Sequence, residues 1–281
     1  MRYQHIIEAV YGHPWLLTVQ AWHGIHQIVM NRVLNGKDIP TISQAEGKRP
    51  ARDIWGDPMP QMEMIDGVAR IPINGVLMKG AGMLDKMCGA CSHEDVHDDL
   101  QTAMEKKARA IVLDFNSPGG QVMGTPELAR HVAEVAKVIP IYGYTETMRC
   151  SCAEYIAAGC TKLFATESAY VGSIGVIWET RNVARALEAA GIDYHVFTSG
   201  KLKALGHPAL PMSKEHEEYI QGQVDAIGAE FRAWMTTFRK IARKDMEGQV
   251  HRGSEAAEKG FIDLKVKDRE EAMSLARAGL Y

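Results

Sequence analysis

Apolar positions fall into two rhythms along the chain. Over residues 1–38, Ile6, Val10, Leu17, Ala21, Ile25, Ile28, Val29 and Val33 recur mostly three or four apart, the period of a helix with one buried face. Pro14 divides that helix into two pieces. Residues 39–62 carry four prolines, two glycines and scattered charge, the composition of a linker or extended arm. A domain boundary is therefore expected near residue 62, with an N-terminal helical arm before it.

Beyond that boundary, strands alternate with helices. Residues 64–78 read as a strand or hairpin with a glycine turn, and 92–107 as a helix capped by Ser92. Residues 108–116 read as a strand buried on both faces, because Ile111, Val112 and Leu113 run together. Residues 125–138 predict a helix, with Thr125 as cap and Pro126 in the first position. A strand at 139–145, a short helix at 152–160 and a strand pair at 162–178 follow. A helix at 180–192 ends at Gly191, and 193–200 reads as a strand. A long amphipathic helix covers 214–244, and a helical turn and strand cover 254–266. Such alternation predicts an α/β domain rich in parallel sheet over 63–275, leaving 276–281 as a tail. In the long helix, Phe231, Trp234, Met235 and Phe238 form an apolar stripe that fits either a subunit contact or packing on its own domain.

Composition narrows the function classes. Of 281 residues, 46% are hydrophobic and 24% charged, which argues against intrinsic disorder. A net charge of −3 gives no reason to expect nucleic acid as the main partner. No apolar run is long enough to cross a membrane, and the first residues lack the apolar core of a secretory leader. The cytoplasm is the expected compartment, and with five cysteines a disulfide framework is not expected.

Four segments could carry chemistry, and each also has a plain structural reading. Ser117-Pro118-Gly119-Gly120 follows the buried strand, so its glycines could expose backbone N–H groups to a ligand, or simply permit a tight turn. Ser151 stands between Cys150 and Cys152 at a strand–helix junction, as a nucleophile or as an N-cap. Gly172-Ser173-Ile174-Gly175 suggests close packing or close ligand approach. Lys203, in Ser199-Gly200-Lys201-Leu202-Lys203, is either a solvated charge or a general base, and a base requires a pKa far below the usual lysine value of about 10.4.

Taken in order, SPGG, the serine at the junction, GSIGV and SGxxK resemble the S49 peptidase family, which contains signal peptide peptidase A and phage capsid-maturation proteases. The resemblance runs from about residue 65 to 270. It implies a Clp-protease/crotonase-like α/β fold and a Ser–Lys dyad. Ser151 would be the nucleophile, Lys203 the general base, and Ser173 the residue that orients the lysine. Gly119 and Gly120 would form the oxyanion turn. Cys152 and Ala153 stand where signal peptide peptidases usually carry two glycines, which favours the phage branch. The helical arm favours it too. A single domain of this kind implies a homo-oligomer in which Lys203 completes a neighbour's site. The expected partners are protein or peptide substrates such as capsid scaffold. Neither a cofactor, a metal, nor a membrane anchor is expected, and the chain's end at Tyr281 implies a separately encoded scaffold.

Other readings compete. A signal peptide peptidase-like enzyme would degrade peptides, and a crotonase-type acyl-CoA enzyme would share the fold without needing Ser151. An inactive assembly factor would tolerate the altered residues after Ser151. A zinc site could use Cys88 and Cys91 with Cys150, Cys152 or His93.

Overall fold

The computed structural model describes residues 13–19, 21–23, 25–26, 61–87 and 89–279. Most of the predicted N-terminal arm and linker, and Cys88, lie outside these residues.

Two sheets organise the molecule. The large one contains Glu63–Ile65 (β2), Val68–Asn74 (β3), Ala110–Ser117 (β6), Ile141–Cys150 (β8), Lys162–Ala165 (β9), Tyr170–Gly172 (β10), Val250–Arg252 (β11) and Leu264–Lys265 (β12). Its main path runs β11-β10-β8-β6-β3-β2, with β9 beside β8 and β12 beside β9. The central strands β3, β6, β8 and β10 are parallel. The small sheet joins Trp15–Leu17 (β1), Gly119–Gln121 (β7), Val76–Met78 (β4) and Ala90–Ser92 (β5), in the order β1-β7-β4-β5. β3 passes through Gly75 into β4, and β6 passes through Pro118 into β7, so both of these strands hand their continuation to the small sheet. This repeated pair of strands followed by a helix is the Clp-protease/crotonase-like plan expected above.

The alternation of β6 explains its central place. Ile111, Leu113 and Phe115 join the core on one face, while Ala110 and Val112 join the core on the other. Each fully buried Ile or Leu stabilises the fold by about 1.5–3 kcal/mol. The first face is covered by helices His93–Glu105 (α1), Thr125–Ala136 (α2) and Cys152–Ala157 (α3), and by Phe231 and Met235 of Lys214–Phe238 (α4). The second is covered by Arg269–Ala278 (α5), through Ala272, Met273 and Ala276.

Several elements differ from the sequence reading. Trp15–Leu17 is a strand inside the predicted helical stretch, because both of its edges find backbone partners. Residues 193–200 form no strand; Tyr194 and Phe197 are exposed, and no strand among the described residues pairs with them. The α2 cap is Gly124 in the left-handed conformation, and Thr125 instead donates its hydroxyl to Gln121 O. α4 ends at Phe238, and Arg239, rather than ending a solvated helix, donates to the carbonyls of Ala158 and Cys160 and pairs with Asp263. The apolar stripe of α4 packs on its own domain: Phe231 and Met235 are buried and Trp234 stacks on Tyr155. α5 was not read from sequence, and it runs through 276–278 of the predicted tail.

Candidate active site

β8 delivers Ser151 to the centre of the molecule. The strand is held by β6 along one side, and its other side is shared by β9 at residues 142–145 and β10 at residues 148–150. At Ser151 the chain turns sharply into α3, with φ 56° and ψ −114°. Positive φ is costly for a residue with a Cβ, about 1–3 kcal/mol, and persists only where surrounding contacts impose it. Those contacts are specific. The Ser151 N–H donates to Gly172 O at 2.7 Å, and its carbonyl accepts from Tyr155 N–H at 2.9 Å. The side chain therefore sits buried at a tight elbow, and its Oγ has no hydrogen-bond partner among the described residues.

A buried ion pair braces this elbow. Arg149 Nε donates to Glu154 Oε2 at 2.9 Å, and Arg149 Nη2 donates to Glu154 Oε1 at 3.4 Å. Arg149 also donates to the carbonyls of Phe164 and Phe261. Both side chains are wholly buried, so the pair closes over Ser151 from two residues before it to three after. Burial pushes the Glu154 carboxyl above the usual range, with the Arg149 guanidinium pulling the other way. Sequence reasoning missed this pair. Its signal was present, as opposite charges flanking the serine inside an otherwise apolar run.

The flanking thiols are poorly suited to nucleophilic work. Burial pushes both Cys150 and Cys152 up to about 12, and Cys152 Sγ rests 2.9 Å from Thr125 Oγ1. Among the described residues no cluster of three His, Cys, Asp or Glu side chains is placed to hold a metal.

The other predicted site residues divide into two groups. Gly119 borders Ser151, Gly120 follows Gly119 in β7, and Ser173 follows Gly172, whose carbonyl holds the Ser151 N–H. A Cβ on Gly119 would stand 3.0 Å from Ser151 Cβ and 2.0 Å from Leu16 O, and one on Gly120 would stand 1.9 Å from Leu77 O. Only glycine allows these approaches. The Gly119 N–H is 3.2 Å from Ser117 Oγ. Ser173 directly follows Gly172, also has positive φ (55°), and donates its N–H to Gln249 O at 2.6 Å. Lys203 belongs to the second group. It is exposed in a turn at 201–206, its N–H donating to Gly200 O, and it makes no contact with Ser151 Oγ.

Comparison with known proteins adds four findings. The family model described as Peptidase family S49 matches residues 133–280. Capsid assembly protease C of Escherichia phage lambda is 27% identical over 222 residues, covering 78% of this chain and 50% of the relative. Head-tail preconnector protein GP5 of Enterobacteria phage P21 is 26% identical over 295 residues, covering 98% and 57%. A putative signal peptide peptidase SppA of Enterococcus faecium is 31% identical over 202 residues, covering 70% and 59%. The chain thus spans between half and three-fifths of these relatives' lengths. Among the described residues no helix is long and apolar enough to cross a membrane.

Proposed function

Since this chain belongs to peptidase family S49, we propose that it is a serine endopeptidase with a Ser151–Lys203 dyad, acting in phage or prophage head maturation on scaffold and other capsid assembly proteins. The observation that carries the reading is Ser151 itself, held at positive φ on a braced elbow beside Gly119, with an uncommitted Oγ.

The reaction follows from these parts. Ser151 Oγ attacks a peptide carbonyl carbon while its proton passes to the neutral Lys203 amine. The carbonyl oxygen becomes an oxyanion, held by backbone N–H groups at Gly119 and Gly120. Gly119 N–H leaves Ser117 Oγ to make that bond. The tetrahedral adduct then collapses: the C–N bond breaks, Lys203 returns the proton to the leaving amine, and Ser151 carries the acyl group as an ester. Water, deprotonated by Lys203, cleaves the ester and restores the serine. Ser173, beside the elbow, holds the lysine in line.

In this reading the dyad is completed between copies of a homo-oligomer, which the exposed turn carrying Lys203 supports. The domain at 63–275 supplies Ser151 to one site and Lys203 to the next. Assembly inside a prohead in the host cytoplasm suits a protein that meets unassembled capsid subunits. Identity to a putative signal peptide peptidase favours a second reading, general peptide degradation.

Cleavage of scaffold and of casein by wild type, Ser151→Ala, Lys203→Ala and a mixture of the two variants tests the proposal. Both single variants should be inactive and the mixture active. A fully active Ser151→Ala enzyme refutes the nucleophile. Cleavage of casein but not scaffold favours the second reading, and an intact assembly without any cleavage indicates an assembly factor.

A further inference from the structure

We propose that Trp15–Leu17 is a built-in pseudosubstrate. It fills the channel in which a substrate chain lies, and that channel selects extended segments carrying a bulky aliphatic side chain where Leu16 sits. The inference rests on the peptidase reading of Ser151.

β1 is paired on both edges by backbone that flanks the candidate site. On one edge it runs antiparallel to β7, with Leu16 opposite Gly120 and Leu17 opposite Gly119. The Thr18 N–H extends this edge by donating to Pro118 O at 3.1 Å. On the other edge, Trp15 exchanges two bonds with Ile177: its N–H donates at 2.8 Å and its carbonyl accepts at 2.9 Å. A short strand held between two edges in this way is how a guest peptide is bound by strand addition. Backbone bonds give affinity without regard to sequence, and alternate side-chain pockets give selectivity.

The position along the channel is that of a scissile region. The Leu16 carbonyl carbon and Ser151 Cβ each lie 3.0 Å from the point a Cβ on Gly119 would occupy. Leu16 and Ser151 thus both border Gly119, the glycine turn lying between the strand and the serine. Ser151 is wholly buried, although a polymer must reach it. A cover that comes off resolves that conflict, and β1 is the cover.

Side chains define what the channel prefers. Leu16 is 1% exposed and joins the core cluster that contains Leu77, Cys152 and Ile174. Trp15 and Leu17 point to the opposite face, into a separate cluster with Trp22. The strand is latched there by Trp22 Nε1, which donates to Glu179 Oε2 at 2.5 Å. As part of the same chain, β1 competes with any substrate at a high effective concentration. The free enzyme is therefore latent, and a substrate segment works by displacing it.

Leu16→Asp places a charge in the aliphatic pocket and should eject β1. We expect kcat/KM for casein to rise at least about tenfold, as loss of an intramolecular competitor dictates. A fluorescent peptide of residues 13–19 should bind the variant and not wild type, and a peptide with aspartate in place of leucine at position 16 should bind neither. A folded variant that binds the 13–19 peptide no better than wild type overturns the proposal. Should the variant misfold, hydrogen exchange on the unaltered chain decides. Excess 13–19 peptide should speed exchange at the Leu16 and Thr18 amides, and unchanged exchange overturns the proposal. If no form cleaves casein or reacts with a fluorophosphonate at Ser151, the peptidase reading fails. The peptide-binding result still judges the channel.

Discussion

Arg149 and Glu154 are each costly alone and acceptable together. Removing one partner of a fully buried pair leaves an uncompensated charge, at about 3–5 kcal/mol. Arg149→Met or Glu154→Leu should each destabilise the protein by that order in urea denaturation. The double substitution should recover most of the loss. Below them in reactivity stand the thiols. With Cys150 and Cys152 both held near 12, native protein at pH 8 should resist iodoacetamide at these positions and become alkylated there only on unfolding. Mass spectrometry of the two peptides reads this directly. The contrast shows what a sequence exposes at this scale. Ser151 was singled out by the order of motifs around it. Its brace was not, because charged residues are assigned to the surface unless a partner is known.

Among elements, periodicity succeeded where one face of a segment meets one core. β6 and α1 follow their patterns because burial runs along their whole length, whereas α4 is buried only in its second half, through Gly228, Phe231 and Met235. Periodicity failed where pairing, not pattern, decides. β1 lies in a helical rhythm yet is drawn into a ladder by β7 and Ile177. The alternation at 193–200 forms no strand pairing among the described residues and stays largely exposed. α5 carries only small residues and Met273 on its buried face, too little apolar weight to stand out among four charges. α4 offers a test of packing at this level. Phe231, buried and 4.9 Å from the Tyr155 ring, should cost about 3–5 kcal/mol on replacement by alanine. Phe238, 40% exposed, should cost less than about 0.5 kcal/mol on replacement by serine. Denaturant titration of both variants separates a helix packed on its own domain from one whose stripe serves another subunit.

For the molecule as a whole, acid is the expected weakness. Burial holds His93 down to about 4, at the wall of a cavity of about 220 Å3 between α1 and α2. The folded state keeps this ring neutral while the unfolded chain protonates it near 6.5. Stability is thus complete above pH 6.5, is lost as pH falls toward 4, and is unchanged by this group below that. The loss reaches about 3 kcal/mol. Urea midpoints from pH 7 to 4 should show this decline, and a His93→Gln variant should lose less over the same range. A consequence for synthesis lies in the position of β1. The strand is made before everything it pairs with, and its two edges, Gly119–Gln121 and Ile177, are far downstream. A pairing so distant in sequence forms slowly and late. β1 is therefore made before its partners and seated after them. With β1 as the pseudosubstrate proposed above, the channel of a newly made chain would stand open for that interval, and its own neighbours in translation would be the nearest peptides able to enter it.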